Sequence, residues 1–192
     1  GLILAKYIDV FSNYLVNFGV KYSRSEEDRD EYGEENINRT LDSLLIIRFE
    51  ELLHTNKHKL LEMNYYYKPL TDLISAKISF YWYENPEKVI ESYDEKINMY
   101  NELKKDSLKW QSIGGSSFTM YSIEKGLEYA YDNKISKLSG KEQLDYRFYA
   151  IKEAEKWESR ANINFILDQY LAIVNYYKDK KDTKFITKYA KE

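Results

Sequence analysis

The chain has 192 residues and a formal net charge of −3 at pH 7, which argues against nucleic acid as the default partner because such binding usually shows as a basic patch. It contains no cysteine, so disulfides, thiol nucleophiles and thiolate zinc sites are excluded. Hydrophobic residues make up 43% of the sequence and charged residues 32%, a balance typical of a water-soluble protein with its own core.

Helices are favoured because the chain contains only two prolines and seven glycines. In chain order, we predict helices over about 2–18, 36–66 with a break at 55–57, a two-helix hairpin over 68–110, and helices over 118–133, 143–159, 161–178 and 184–190. No segment alternates with period two for long enough to predict a strand. We therefore predict an all-α fold of about seven or eight helices, in which antiparallel hairpins pack as a bundle or a short helical-repeat-like array. We expect one domain over 1–192, with a subdivision near 111–117.

Apolar residues recur at three- and four-residue spacing, which predicts the face of each helix that packs inward. On the first helix the predicted inward residues are Leu4, Tyr7, Ile8, Phe11, Tyr14, Leu15 and Phe18. On the second hairpin helix they are Val89, Ile90, Tyr93, Ile97 and Tyr100. On the helix over 161–178 they are Ile163, Ile166, Leu167, Tyr170, Ile173, Val174 and Tyr177.

The hairpin over 73–103 turns at 84–87, where Pro86 suits the first position of the second helix. It resembles a tetratricopeptide (TPR) repeat, with Phe80, Val89 and Tyr93 at the aromatic, small and following aromatic positions of that family. Lys77 and Lys96 stand where the family has a Gly and its second Ala. The resemblance implies a helical protein-binding role, although no second copy recurs at the 34-residue period.

Aromatic residues are abundant, with 20 Tyr, 8 Phe and 3 Trp. Tyr81, Trp82 and Tyr83 follow one another near the hairpin turn. At about 100° per residue, three adjacent rings cannot all enter one core, so we expect at least one to be exposed. Tyr and Trp are favoured interface anchors, which makes these three candidate partner-binding residues, with ordinary core packing as the competing interpretation.

An acidic run over 26–35 places seven acids within ten residues. Its candidate partner-binding residues are Glu26, Glu27, Asp28, Asp30 and Glu31. One interpretation is a solvated loop. The other is a docking surface for a basic protein, because a block of like charge steers an oppositely charged partner.

A metal-like stripe consists of Glu51, His54, His58 and Glu62, which fall within roughly 80° on a continuous helix. His at i and i+4 can share a metal ion. The same helical wheel places the stripe opposite the apolar face, so a solvated surface is the competing interpretation. We therefore predict no metal and no cofactor, and keep Glu51, His54 and His58 as weak metal candidates.

Arg48 and His54 have an Arg-x5-His spacing that resembles the Arg-x(4–6)-His signature of HEPN ribonucleases, an all-helical family. The resemblance implies RNA cleavage by this pair. The chain departs from the family at Phe49, where a polar residue is common. The competing interpretation is an Arg and a His on a helix surface.

An acidic, all-helical, tyrosine-rich chain without catalytic motifs is similar to the immunity proteins of bacterial toxin systems. Our main hypothesis is a non-enzymatic protein-binding module whose partner is another protein, in its specific form an immunity protein that neutralises a basic toxin; the alternative is the HEPN-like ribonuclease. Residues 2–18 are too polar for a membrane span or a signal sequence. We expect a cytoplasmic protein, or one that is exported or lipid-anchored after removal of a signal upstream of Gly1.

Overall fold

The computed structural model describes residues 2–19, 35–106, 118–159 and 162–181, with side chains described in these ranges except at 17–19 and 35–41. The regular elements there are α1 (Leu2–Gly19), α2 (Glu35–Thr55), α3 (Lys57–Glu62), α4 (Tyr67–Tyr81), α5 (Pro86–Leu103), α6 (Met120–Ser136), α7 (Gly140–Ala154) and α8 (Asn162–Asp179). These ranges contain eight helices and no strand, so the predicted all-α fold class is confirmed. The helix predicted over 184–190 lies outside the described residues.

The chain divides into two compact units, residues 1–119 and 120–192. Residues 111–117, where a subdivision is predicted, lie outside the described residues. The single domain over 1–192 stays a prediction. Within the described part of the chain, none of the helices is long and apolar enough to cross a bilayer.

In the first unit, α4 packs against α1, α2 and α5. The α4–α5 hairpin is antiparallel, because residues early in α4 meet residues late in α5. Tyr67 donates a hydrogen bond to Glu102 at 3.3 Å, whereas Lys77, further along α4, donates to Glu95 at 2.7 Å. The core of this unit is apolar and includes Ile8, Leu15, Ile46, Phe49, Leu53, Leu60 and Leu73.

Local sequence explains where two of these helices begin and end. Asn85 caps α5 by accepting the backbone N–H of Lys88 at 3.1 Å, and Pro86 occupies the first turn, as predicted. The predicted break near 55–57 lies at Asn56, whose side-chain amide donates to the Leu52 carbonyl at 2.9 Å. The break separates α2 from α3 and still leaves Leu60 in the core.

The predicted inward face of α1 is partly wrong, and that of α5 is incomplete. Tyr7 and Tyr14 of α1 are exposed, and the buried positions are Ile8, Ser12 and Leu15. Ser12 is buried because its hydroxyl donates to Asp72 of α4. Of the predicted inward residues of α5, Val89 is buried, and Ile90, Tyr93, Ile97 and Tyr100 are half-buried. The other buried residues of this helix are Pro86, Ser92, Met99 and Leu103. On α1 the hydrogen-bonded Ser12 is therefore buried, whereas the rings of Tyr7 and Tyr14 are exposed.

The second unit packs α7 against α8 and α6 against both. Its helix predicted over 143–159 instead runs over 140–154, beginning after the extended residue Ser139. Gly140 has φ +57°, a left-handed conformation that glycine adopts without the strain a side chain would add.

The predicted inward stripe of α8 needs a further correction. Ile163 and Leu167 are exposed at 53% and 54%, whereas Phe165 and Gln169 are buried. Phe165 takes the inward position because its ring stacks on Trp157 at 5.6 Å and lies 6.2 Å from Tyr131. The face of α8 that packs on the core is therefore rotated relative to the face that apolar spacing predicts.

Glu124 of α6 is a buried carboxylate with a structural role, since it is 2% exposed and accepts the backbone N–H groups of Glu158 and Ser159 at 2.8 and 3.0 Å. Glu124→Ala leaves both donors without this acceptor, so we expect a loss of about 2–4 kcal/mol in the free energy of unfolding. Glu124→Gln keeps one acceptor oxygen and should lose about half as much.

Urea unfolding followed by circular dichroism measures both losses. Exposed Glu155 provides the control, and Glu155→Ala should change stability by less than about 0.5 kcal/mol. A Glu124→Ala protein as stable as this control would show that the 158–159 turn does not depend on the carboxylate.

Candidate functional site

A groove of about 270 Å³ lies between α2, α4 and α5 of the first unit. Its lining side chains include Ile46, Ile47 and Glu50 from α2, Lys77 and Tyr81 from α4, and Lys88 and Glu91 from α5. Ile46 is buried, and Ile47 is 44% exposed although it is apolar. The groove therefore combines an apolar wall with charged groups from all three helices.

Lys77 holds the three helices together at the edge of the groove. Its ammonium donates to Glu50 of α2 at 3.0 Å and to Glu95 of α5 at 2.7 Å. The Lys77 side chain is only 13% exposed. Burial lowers the pKa of Lys77, but the hydrogen bonds to Glu95 and Glu50 outweigh burial and raise this pKa above its ordinary value.

Lys88 lies over an aromatic ring instead. Its ammonium is 4.3 Å from the centroid of Tyr81 and 3.3 Å from the Tyr81 hydroxyl, to which it donates. This is cation–π geometry, in which the electron-rich ring face attracts a positive charge. One face of Tyr81 in the groove is therefore a place where a cation is stable.

The three predicted aromatic candidates lie at the turn end of the α4–α5 hairpin, and Tyr81 is the one that lines the groove. Tyr81 lines the groove and is half-buried, as is Trp82, which follows α4. Tyr83 is 48% exposed, as expected for at least one of three successive rings. Their role in binding a partner stays a prediction.

Sequence reasoning missed the acidic stripe beside the groove. Glu87, Glu91 and Glu95 follow one another at four-residue spacing along α5, so they lie on one face. Like charges at this spacing cost an isolated helix about 0.2–0.5 kcal/mol per pair. Lys77 compensates the stripe at Glu95, while Glu91 lines the groove. The repeated Glu at i and i+4 is the signal that could have pointed to this face.

The metal candidates do not come together in the described residues. Glu51 and His54 belong to α2, while His58 and Glu62 belong to α3, beyond the break. Glu51 accepts from Arg48 at 2.7 Å, and His58 lies 3.3 Å from Glu62. No group of three or more His, Cys, Asp or Glu in the described ranges has a metal-binding arrangement.

The ribonuclease candidates lie on the surface of α2. Arg48 and exposed His54 are six residues apart, which places them about 9 Å apart along the axis and roughly 120° apart around it. The Arg48 side chain is 72% exposed and paired with Glu51. The ribonuclease hypothesis stays a prediction, and it requires a second element, such as another copy of the chain, to complete a site.

The acidic candidates Glu26, Glu27, Asp28, Asp30 and Glu31 lie outside the described residues.

A feature that the sequence did not reveal is the outer face of α1, where Ile3, Val10 and Tyr7 are exposed. Apolar residues gathered on one surface often mark an interaction site.

The second unit contains a polar network that joins α6, α7 and α8. Gln169 of α8 accepts from Arg147 of α7 and donates to Asp132 of α6 at 2.9 Å. Burial raises the pKa of Asp132, against the opposing hydrogen bond from Gln169, and burial lowers the pKa of Arg147. Because each group has a partner within the unit, we interpret this network as structural.

No protein-family model matches the chain, and the curated proteins and solved structures also give no match. The resemblances to TPR repeats and to immunity proteins therefore stay predictions. A function has to be inferred from the chemistry of the groove and of the exposed rings.

Lys77→Met tests the contribution of the Lys77 hydrogen bonds to Glu50 and Glu95. The substitution keeps an apolar side chain of similar length and removes both charge-assisted hydrogen bonds. We expect a loss of about 1–2 kcal/mol in the free energy of unfolding at pH 7, measured by urea denaturation. The control is exposed Lys59, since Lys59→Met should leave stability within about 0.5 kcal/mol.

The pH dependence follows from the raised pKa of Lys77. A folded-state pKa above the unfolded value of 10.5 stabilises the fold fully below pH 10.5, and the contribution disappears as the pH rises through the folded value. The stability difference between wild type and Lys77→Met should therefore shrink above about pH 10.5. If the stability difference between wild type and Lys77→Met stayed constant or grew above about pH 10.5, the charged Lys77 would not stabilise the fold through Glu50 and Glu95.

Proposed function

We propose that the chain is a non-enzymatic protein-binding module, in its specific form an immunity-type protein that neutralises a partner toxin. The partner is a protein with a basic surface. In this proposal the protein acts where the toxin acts, which we take to be the cytoplasm; the alternative is an exported or lipid-anchored protein.

The observation that carries this proposal is the combination of one exposed ring, Tyr83, and an open groove at the turn end of the α4–α5 hairpin. Tyr83 exposes nearly half of its surface, and Tyr81 forms part of the groove wall. Interfaces obtain most of their binding energy from a few such anchors, among which Tyr, Trp and Arg are enriched. The apolar wall at Ile47 adds surface that a partner can bury.

Charge supports the same interpretation. The chain is acidic overall, and seven of its acids fall within 26–35. In the described residues, Glu87, Glu91 and Glu95 form an acidic stripe on α5. Acidic surfaces of this kind accelerate association with a basic protein and reject acidic competitors.

A growth assay tests the function. The chain is co-expressed with the product of each flanking reading frame in a bacterial host, and growth is recorded with each protein alone and together. We expect one flanking product to arrest growth and the chain to relieve the arrest through a complex that gel filtration detects. If neither product binds the chain, the immunity proposal fails.

The binding role of the rings is tested with Tyr83→Ala. Because Tyr83 is exposed, we expect unfolding stability to change by less than about 0.5 kcal/mol and partner affinity to fall about tenfold. Tyr121 of α6 is similarly exposed, so Tyr121→Ala is the matched control and should alter neither quantity. Calorimetric titration measures affinity, and loss of stability with unchanged binding would assign Tyr83 to packing.

A further inference from the structure

We propose that the outer face of α1 joins two copies of this chain in an antiparallel dimer with two-fold symmetry. The face consists of Ile3, Tyr7, Val10 and Tyr14 and is called the outer stripe below. None of these residues lines the groove between α2, α4 and α5, so the inference goes beyond the proposed protein-binding function. It rests on the exposure of the outer stripe, on its spacing and on its lack of charge.

The outer stripe is apolar although it is exposed. Ile3 is 86% exposed, Val10 70%, Tyr7 56% and Tyr14 38%. At about 100° per residue, these four positions fall within an arc of roughly 60° on the helix. The opposite side of α1 carries Ile8 into the core of the unit. A helix with apolar residues on opposite sides is normally covered on both, so the outer stripe indicates a further packing partner.

The spacing of the outer stripe suits a second copy of the same helix. Its residues are four, three and four positions apart, which is the alternation of a coiled-coil seam. The pattern is the same in both chain directions, so a copy related by a two-fold axis presents matching positions. Ile3 of one copy then faces Tyr14 of the other, and Tyr7 faces Val10. Each ring meets an aliphatic side chain, which lets large and small side chains interdigitate.

A parallel pair of α1 helices would match less well. It would place Tyr7 against Tyr7 and Tyr14 against Tyr14, so ring would meet ring and the two aliphatic positions would meet their own counterparts. It would also bring the like ends of two helix dipoles together, whereas an antiparallel pair brings opposite ends together. Both the side chains and the dipoles therefore favour the antiparallel direction.

The charges of α1 are compatible with self-pairing. Lys6 and Asp9 are the charged residues of this helix. Asp9 accepts a hydrogen bond from Tyr65 of the same unit. Lys6 is exposed beside the outer stripe, and in the antiparallel pair it lies next to the uncharged Asn13 of the other copy. The outer stripe itself offers no ion pair to a charged partner, but it complements a copy that is uncharged at the same positions.

The size of the outer stripe predicts a reversible dimer. Its four side chains, buried in both copies, would remove on the order of 1,000 Å² from solvent, just below the roughly 1,200–2,000 Å² of standard specific interfaces. Interfaces at this end of the range form weak complexes whose population depends on concentration. The dimer should therefore dissociate on dilution.

Sedimentation equilibrium of the full-length chain tests the dimer. We expect the average mass to rise towards twice the monomer mass between about 10 and 500 μM. Val10→Glu should weaken the dimer at least about tenfold, because it places two carboxylates in an apolar interface. Leu167 of α8 is also exposed and apolar, so Leu167→Glu is the matched control and should change the dissociation constant less than about twofold. Circular dichroism checks that both variants keep their helices.

Cysteine cross-linking tests the antiparallel direction, because the natural chain contains no cysteine. An Ile3→Cys chain mixed with a Tyr14→Cys chain should form a disulfide-linked dimer on mild oxidation, since the paired positions face each other. Ile3→Cys alone should cross-link at least about fivefold less, because its two copies lie roughly 16 Å apart along the helix axis. A parallel pair would give the reverse result.

A chain that stays monomeric up to about 500 μM would overturn the proposal, as would a dimer that Leu167→Glu dissociates and Val10→Glu does not. If the monomer instead floats with phosphatidylcholine vesicles and Val10→Glu abolishes flotation, the outer stripe binds lipid and the dimer is refuted. Preferential cross-linking of Ile3→Cys with itself would refute the antiparallel arrangement. The co-expression assay for the proposed function gives a separate result, since it detects a complex with a different protein.

Discussion

The position of α4 is the constraint on which the first unit depends. This helix packs against α1, α2 and α5, so its surface has to satisfy three neighbours at once. Its apolar residues Leu73, Ile74 and Ala76 are buried. Its charged residue Lys77 forms ion pairs with Glu50 and Glu95, which belong to two different helices. The groove lies between the same three helices that the Lys77 ion pairs join.

Sequence reasoning succeeded where the signal is local. Asn85-Pro86 begins α5 and Asn56 ends α2, because capping and side-chain bonds to the backbone act over a few residues. The predictions were wrong where packing against neighbouring helices determines which face of a helix is buried. Apolar spacing assigned Tyr7 and Ile163 to the inward faces of their helices, yet both are exposed. A helical wheel identifies which residues share a face, but helices with apolar residues on several sides are oriented by what they pack against.

The candidate site could be predicted only in part for the same reason. Three successive rings cannot all enter one core, so the exposure of at least one is predictable, whereas which ring it is depends on the turn after α4, where Tyr83 lies. The pairing of Lys77 with Glu50 and Glu95 spans 27 and 18 residues and depends on how α2 and α5 approach α4. No spacing rule within one helix relates these residues. The groove therefore became visible only with the helices in place.

Lys77 also has an evolutionary consequence. Helical arrays lengthen by duplication, which requires that one hairpin can stack on a copy of itself. A duplicated α4–α5 hairpin would carry Lys77 and Glu95 into the new copy but not Glu50, which belongs to α2. Each added copy would then place a desolvated ammonium beside a neighbour that lacks the second carboxylate. The ion pairs of Lys77 therefore tie this hairpin to α2, and a copy placed elsewhere would need a carboxylate from its new neighbour.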